Sequence, residues 1–172
     1  MTGSETEEIL WQGTFITAKR QGKWEYVSRA RGIKAAVILA VEDGHVLLVE
    51  QFRVPLDKMC IEFPAGLIGD ITEDEDPLEA AGRELEEETG YRAESLESLG
   101  EYYSSPGMVS ESFMLVRATA LTKVSEGGGV FGENIIPHRV ALENLTDFIA
   151  KKRAEGRGID VRLLMLLGPT LI

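Results

Sequence analysis

The chain has 172 residues, enough for one domain with a sizeable core and too few for two full domains. Its 44% hydrophobic and 27% charged residues are typical of a globular protein and argue against a disordered or fibrous chain. With 18 Lys and Arg residues against 29 Asp and Glu residues, the net charge of -11 disfavours bulk electrostatic binding to nucleic acids or anionic membranes. A metal ion would still allow such a protein to bind a phosphate.

Cys60 is the only cysteine, so an intramolecular disulfide and a thiolate zinc cluster are excluded, and we expect a small buried residue. The acidic segment 1–8 lacks the features of a signal peptide, and the longest apolar runs, such as 35–41, are too short to span a bilayer. We therefore expect a cytoplasmic protein.

The first third of the chain predicts strands. Residues 9–18 and 24–30 are rich in aromatic and β-branched side chains and flank a polar turn. Residues 35–41 and 45–53 flank Asp43-Gly44, which is typical of a tight hairpin turn. Because this second pair is almost continuously apolar, we expect both of its strands to be covered on two faces.

A helix is predicted from Pro77 to Thr89. Asp76 is a suitable N-cap, Pro77 suits the first turn, Glu79 lies three residues after the cap, and Gly90 suits a left-handed helix end.

Further strands are predicted around 96–104, 112–120 and 134–141. Two amphipathic segments follow, with apolar stripes at Leu145, Phe148, Ile149 and at Ile159, Leu163, Leu166, Leu167. Strands and helices mix without regular alternation, so we predict an α/β sandwich.

Three carboxylates are expected to share one side of this helix. Glu84 and Glu88 are one turn apart and Glu87 lies beside them, while Leu85 belongs to the opposite, core-facing stripe. Like charges at this spacing repel unless a cation is supplied. A solvated acidic face is the alternative interpretation of such a run.

A longer pattern surrounds these residues. It consists of Gly69, Glu75, Arg83-Glu84-Leu85, Glu87-Glu88 and Gly90-Tyr91 at fixed spacings. The pattern resembles the Nudix box, the defining motif of the Nudix hydrolases, and is far more specific than a lone glycine motif. The resemblance implies a Nudix α/β/α sandwich with a mixed sheet and an N-terminal antiparallel strand extension.

The first glycine of the box has two candidates. Residues 62–68 (EFPAGLI) resemble the segment that, in the ADP-ribose pyrophosphatase branch of this family, ends on that glycine. We therefore favour Gly66 over Gly69, which implies three inserted residues before Glu75. Residues 51–53 (QFR) and 105–107 (SPG) also resemble this branch, and Pro106 lies at an offset from Gly90 that is associated with ADP-ribose hydrolysis.

The resemblance implies a site for Mg²⁺ or Mn²⁺, which prefer hard oxygen ligands. The implied ligands are Glu84 and Glu88, with Glu87 as a further one and the Ala65 carbonyl from the backbone. Arg83 is expected to orient the carboxylates through an ion pair, and Glu75 to support the start of the helix.

A general base is implied in a loop beyond the box. Glu133 is the first candidate and Glu126 the second, and the glycines 127–129 between them are interpreted as a hinge or, alternatively, as a flexible surface loop. Glu111 is expected either to approach the metal site or to lie on a loop surface.

Substrate-binding residues are implied mainly near the N-terminus. Arg53 is a candidate clamp for a diphosphate. Trp11 and Trp24 resemble an aromatic pair that encloses adenine, with Glu25 accepting from its amine and Arg29 close to the base. Packing of both tryptophans in the core is the alternative.

The resulting expectation is a Mg²⁺-dependent hydrolase that converts ADP-ribose to AMP and ribose 5-phosphate. It comprises an N-terminal extension (1–31) for dimerisation and adenine binding and a Nudix domain (32–172), and it forms a homodimer. Its partners are expected to be small nucleoside diphosphate sugars, without nucleic acid or membrane. The alternatives are another substrate, such as GDP-mannose or an oxidised nucleotide, and a nucleotide-binding module without catalysis.

Overall fold

A small antiparallel sheet begins the molecule. The computed structural model describes residues 6–30, 34–69, 75–130 and 132–171, and its first strands are β1 (Glu8–Gln12), β2 (Ile16–Gln21) and β3 (Trp24–Arg29), in that order. The prediction of one strand over 9–18 is wrong, because the chain turns at residues 13–15, where the Gly13 N–H donates to the Ile16 carbonyl at 2.9 Å. The predicted boundary between residues 31 and 32 lies outside the described residues.

Two further sheets diverge from one hairpin. Strands β4 (Lys34–Glu42) and β5 (His45–Arg53) pair only beside their turn, where Asp43 and Gly44 both have positive φ. β4 then pairs with a short strand and a long one, β5 with two others, so the hairpin joins two layers. The remaining strands are β6 (Lys58–Glu62), β7 (Ala65–Ile68), β8 (Tyr91–Tyr103), β9 (Ser112–Lys123), β10 (Ile136–Ala141) and β11 (Gly158–Ile159).

Helix α1 (Pro77–Thr89) has the predicted ends. The Asp76 carboxylate accepts from the backbone N–H groups of Leu78 and Glu79, and Gly90 ends the helix at φ 77°. Helices α2 (Leu145–Ala154) and α3 (Leu164–Leu171) follow. The first agrees with the predicted segment, whereas two residues of the second predicted stripe precede α3, Ile159 in β11 and Leu163 in a short turn. None of the described helices combines the length and apolar character needed to cross a membrane.

The core lies on both sides of β4 and β5. Val37, Leu48 and Phe63 pack with α2 and α3 on one side, whereas Ile38 and Leu47 pack with α1 on the other. The predicted covering of both faces is therefore confirmed, and the architecture is the predicted mixed α/β sandwich. Burial of Ala81 and Leu85 orients α1, so its glutamates face away from this core.

Candidate active site

Helix α1 presents three glutamates beside strand β7. Glu88 is only 4% exposed, and the side chains of Glu84 and Glu87 are partly exposed. A Cβ atom built on Gly66 would lie 2.0 Å from Cδ of Glu84. Any side chain at position 66 would therefore overlap the Glu84 carboxylate, and glycine is required there. This contact supports the choice of Gly66 as the structural glycine of the motif.

Arg83 connects the carboxylates of this cluster. Its guanidinium donates to Oε1 of Glu84 at 2.8 Å and to Oε1 of Glu75 at 3.3 Å, and it lies 3.5 Å from Oε2 of Glu87. One cation thus contacts three carboxylates that would otherwise repel each other. Arg83 thus lies among the carboxylates that it is predicted to orient.

Glu88 is held against the backbone of β7. The Ala65 N–H donates to its Oε2 atom at 3.0 Å, so Ala65 contacts this carboxyl through its amide N–H. Burial raises the pKa of Glu88 to about 8, and the charges of Glu84 and Glu133 contribute, although the Ala65 N–H opposes them. A buried carboxyl with this pKa is stabilised in its charged form by an added cation.

The chemistry of these donors suits a hard divalent cation, since all of them are oxygens. Across residues 6–30, 34–69, 75–130 and 132–171, however, no group of three or more His, Cys, Asp or Glu side chains is gathered for an ion. The reason is local: Glu84 is turned towards Arg83 and Glu88 towards the Ala65 N–H.

The three consecutive glycines close the C-terminal end of α1. The N–H groups of Gly128 and Gly129 donate to the carbonyls of Glu88 and Glu87, both at 2.9 Å. A Cβ atom on Gly127 would lie 2.5 Å from the carbonyl carbon of Thr89. Gly127 is therefore needed for close backbone packing at this helix end. The interpretation of the three glycines as a hinge stays a prediction.

The two candidate bases have different surroundings. Glu133 follows the glycines, its Oε2 accepts from the Val130 N–H at 2.9 Å, and its charge acts on Glu88. Glu126 has a side chain that is 92% exposed and pairs with Lys123 at 3.0 Å. Of these two candidates, Glu133 is therefore the one whose charge raises the pKa of Glu88.

A cavity of about 600 Å³ adjoins the cluster at Ala65 and Gly66. Arg53 lines it and pairs with the buried Glu62 through two bonds of 2.7 Å. Arg29 and Glu111 pair with each other on the same wall, so Glu111 contacts an arginine rather than α1. The cavity wall therefore carries arginine–carboxylate pairs among mostly uncharged residues.

Two residues of this wall are absent from the sequence-based prediction. Asp160 and Arg162 follow β11 beside Glu62, and the Asp160 carboxylate accepts two bonds of 2.7 Å from the Arg162 guanidinium and one of 2.7 Å from its backbone N–H. Although burial opposes ionisation, the Arg162 guanidinium holds the pKa of Asp160 below its usual value. The spacing of neighbouring residues in the sequence could not predict that Asp160 and Arg162 belong to this wall, because Arg162 is 100 residues from its partner Glu62.

The predicted adenine-binding residues lie apart from this wall. Trp11 and Trp24 are 57% and 65% exposed, so neither packs in the core of this chain. Glu25 is also exposed, and of these N-terminal residues Arg29 lines the cavity. The small sheet is attached through β3, whose Val27 bonds with Met108 and Ser110.

Two curated pyrophosphatases are similar to this chain over most of its length. The chain is 34% identical over 165 residues to an ADP-ribose pyrophosphatase of Saccharomyces cerevisiae, covering 91% of this chain and 68% of that protein. It is 39% identical over 160 residues to a GDP-mannose pyrophosphatase of Cronobacter sakazakii, covering 83% and 81%. The chain spans 63% and 48% of the lengths of two other curated relatives that it matches.

A solved structure shares the fold. It is described as an ADP compounds hydrolase, superposes with a TM-score of 0.70 at 24% identity, and the match covers 96% of this chain and 91% of that one. The model of the NUDIX domain family matches residues 30–150, well over half of the chain. With three of the box glutamates on one capped helix beside a cavity, this chain belongs to the NUDIX domain family.

Proposed function

We propose that this chain hydrolyses the diphosphate of ADP-ribose to AMP and ribose 5-phosphate with Mg²⁺, or Mn²⁺, as the cofactor. The observation that carries the proposal is the contact of Glu84 and Glu88 with Gly66 and Ala65, two residues that also line an arginine-rich cavity. The direct test is the identification of both phosphate monoesters after incubation with ADP-ribose and Mg²⁺.

The carboxylate cluster would hold the metal ion. Glu84 and Glu88 would be the principal ligands, with Glu87 and the Ala65 carbonyl as further ones. Bound there, the ion supplies neutralisation of phosphate charge and acidification of a water molecule. Arg83 keeps the carboxylates of Glu84 and Glu87 near one another and limits their repulsion.

Two other side chains have roles towards the substrate. Arg53 binds the diphosphate, because its guanidinium is fixed at the cavity wall by Glu62. Glu133 accepts the proton of the attacking water as the general base. Its loop is anchored to the same helix end that carries Glu87 and Glu88, which limits the distance between base and metal ligands.

Replacement of Glu133 by glutamine is expected to lower kcat by about 10²- to 10⁴-fold, the usual contribution of a general base. Affinity for ADP-ribose should stay unchanged, because the amide preserves size and the Val130 contact. Steady-state kinetics together with calorimetric binding measures both quantities. The matched control is Glu126→Gln, since Glu126 has the same chemistry but pairs with Lys123 at the surface. An equal loss in both variants would remove Glu133 from this role.

The N-terminal sheet supports a homodimer. It exposes a group of large apolar side chains, namely Ile9, Leu10, Trp11, Phe15, Ile16 and Trp24. Exposed apolar surface of this kind is typical of a protein–protein contact. We propose that a second copy covers this extension (residues 1–31), while residues 32–172 form the catalytic domain, and that Trp11, Trp24, Glu25 and Arg29 contribute to adenine binding in the dimer.

Trp24→Ala is therefore expected to raise the KM for ADP-ribose about tenfold, as loss of one base–aromatic stack predicts, with little change in kcat. Trp24→Phe keeps a stacking ring and should retain most of the affinity. Steady-state kinetics of dimers isolated by size-exclusion chromatography measures the effect. Identical KM values for the wild type and the alanine variant would contradict adenine binding by Trp24.

A second candidate substrate is GDP-mannose. The similarity to a GDP-mannose pyrophosphatase extends over 81% of that relative, which favours testing this sugar first among the alternatives. A binding module without catalysis is less well supported, because every charged position of the motif is present and Arg83 contacts both Glu75 and Glu84.

A further inference from the structure

We propose that Arg162 is a positioning residue that acts through Glu62 on Arg53 and thereby sets the affinity for the nucleoside diphosphate. This inference rests on the proposed function. It concerns the C-terminal segment, which contributes nothing to the carboxylate cluster and lies beyond residue 150, where the family match ends.

The backbone brings this segment to the cavity. β11 pairs in parallel with β6, placing Gly158 beside Cys60 and Ile159 beside Ile61, and the Asp160 N–H donates to the Ile61 carbonyl at 3.0 Å. The next residue of β6 is Glu62. This register therefore delivers the turn that contains Arg162 to the carboxylate that holds Arg53.

A relay of charged contacts connects the two arginines. Oε2 of Glu62 accepts from Nη2 of Arg53 at 2.7 Å and lies 3.4 Å from Nη2 of Arg162. Asp160 holds Arg162 in place through two bonds of 2.7 Å, and the guanidinium carbon of Arg162 lies 5.6 Å from the ring centroid of Phe113. Arg162 is thus fixed on three sides.

The contacts also explain how Arg53 is presented to a ligand. Glu62 accepts hydrogen bonds from Nε and Nη2 of Arg53. No described residue accepts one from its Nη1 atom, so one edge of the guanidinium remains for a phosphate. Without Arg162, Glu62 keeps Arg53 as its single guanidinium partner, and Asp160 loses the guanidinium that it binds. The rotamer of Glu62, and with it that of Arg53, is then less restricted.

A double-mutant cycle tests this relay. In Arg162→Gln we expect KM for ADP-ribose to rise about tenfold while kcat stays within about twofold, and Arg162→Lys should recover part of the loss. In the Arg53→Gln background the same Arg162 change should have no further effect on KM, because the relay has lost its end point. Arg117→Gln, which breaks an exposed pair with Glu97, is the control for general loss of an arginine.

The outcomes separate the alternatives. Additive effects of the Arg53 and Arg162 changes, or an unchanged KM in Arg162→Gln, would overturn the relay, since Arg162 would then contact the substrate itself or be irrelevant to it. If Arg162→Gln does not fold, the same cycle with Arg162→Lys decides. A wild-type protein without activity on ADP-ribose would contradict the proposed function instead, so the two failures are distinguishable.

Discussion

Replacement of Glu88 by glutamine is expected to abolish Mg²⁺-dependent hydrolysis, with a loss in kcat/KM on the order of 10³-fold or more. Metal ions contribute several kcal/mol to charge stabilisation in such reactions, and each 1.4 kcal/mol corresponds to about a factor of ten. The amide removes a charged ligand, so the ion and its contribution are lost together. Glu84→Gln should have a comparable effect. Steady-state kinetics at saturating Mg²⁺ measures both.

The fold should survive the change at Glu88. Burial already disfavours the charged carboxylate, which is why its pKa is raised to about 8, and a neutral amide avoids that penalty. In metal-free buffer at neutral pH we therefore expect a Tm equal to or above that of the wild type. Loss of activity with an intact fold would distinguish a catalytic role from a structural one.

Glu86→Gln is the matched control on the same helix. Glu86 faces away from the cluster and pairs with Arg92 at 2.8 Å in an exposed position. Its removal should leave the rate unchanged, since this exposed pair is screened by solvent and lies outside the site. Full activity of Glu88→Gln, or an equal loss in Glu86→Gln, would contradict the assignment of Glu88 to the metal.

The second large effect is expected at Glu50, which the proposed mechanism does not use. This buried carboxylate accepts from Lys152 and Arg157 at 2.6 Å and contacts His138 at 3.0 Å. The contacts connect β5 with β10, α2 and the segment that follows α2. Glu50→Gln leaves two cations beside a neutral group, which should cost about 3–5 kcal/mol of unfolding free energy.

The same cluster predicts a pH dependence. Burial alone would raise the pKa of Glu50. The hydrogen bonds from Lys152, Arg157 and His138 outweigh burial and lower this pKa to about 2 from its usual value near 4.5. A carboxyl with a lowered folded-state pKa stabilises the fold above its unfolded-state pKa, and this stability is lost as the pH falls from about 4.5 towards 2. Glu50→Gln should lose this part of the acid dependence.

Urea unfolding of Glu50→Gln and of Glu97→Gln compares buried and exposed pairs. Glu97 pairs with Arg117 on the surface of β8 and β9, where the expected cost is about 0–1 kcal/mol. Equal unfolding free energies for the two variants would show that the Glu50 cluster contributes no more than a surface pair.

Sequence patterns predict local structure well in this chain. The ends of α1 follow from Asp76, Pro77 and Gly90, because capping depends on neighbouring residues. The apolar runs of β4 and β5 likewise predict their burial. The apolar run 9–18 is misleading, since composition favours one strand while Gly13 permits the turn that divides it.

Features that depend on distant contacts are not predicted. The close packing of Gly127 against the end of α1, and the hydrogen bonds from Gly128 and Gly129 to that helix, depend on contacts between segments that are about 40 residues apart. Glu50 occurs within an apolar run, and its partners Lys152 and Arg157 are 102 and 107 residues away. The role of Arg162 could not be predicted from the sequence for the same reason, because the pairing of β11 with β6 brings it to Glu62.

The most direct test of the proposed function is a product analysis across nucleoside diphosphate sugars. The protein is incubated with ADP-ribose, GDP-mannose and an oxidised nucleotide, each with Mg²⁺ and with excess chelator, and the products are identified by phosphorus NMR. We predict that ADP-ribose yields AMP and ribose 5-phosphate with the highest kcat/KM, and that the chelator abolishes the reaction. Preferred turnover of another substrate, turnover that resists the chelator, or binding of ADP-ribose without cleavage would contradict the proposal.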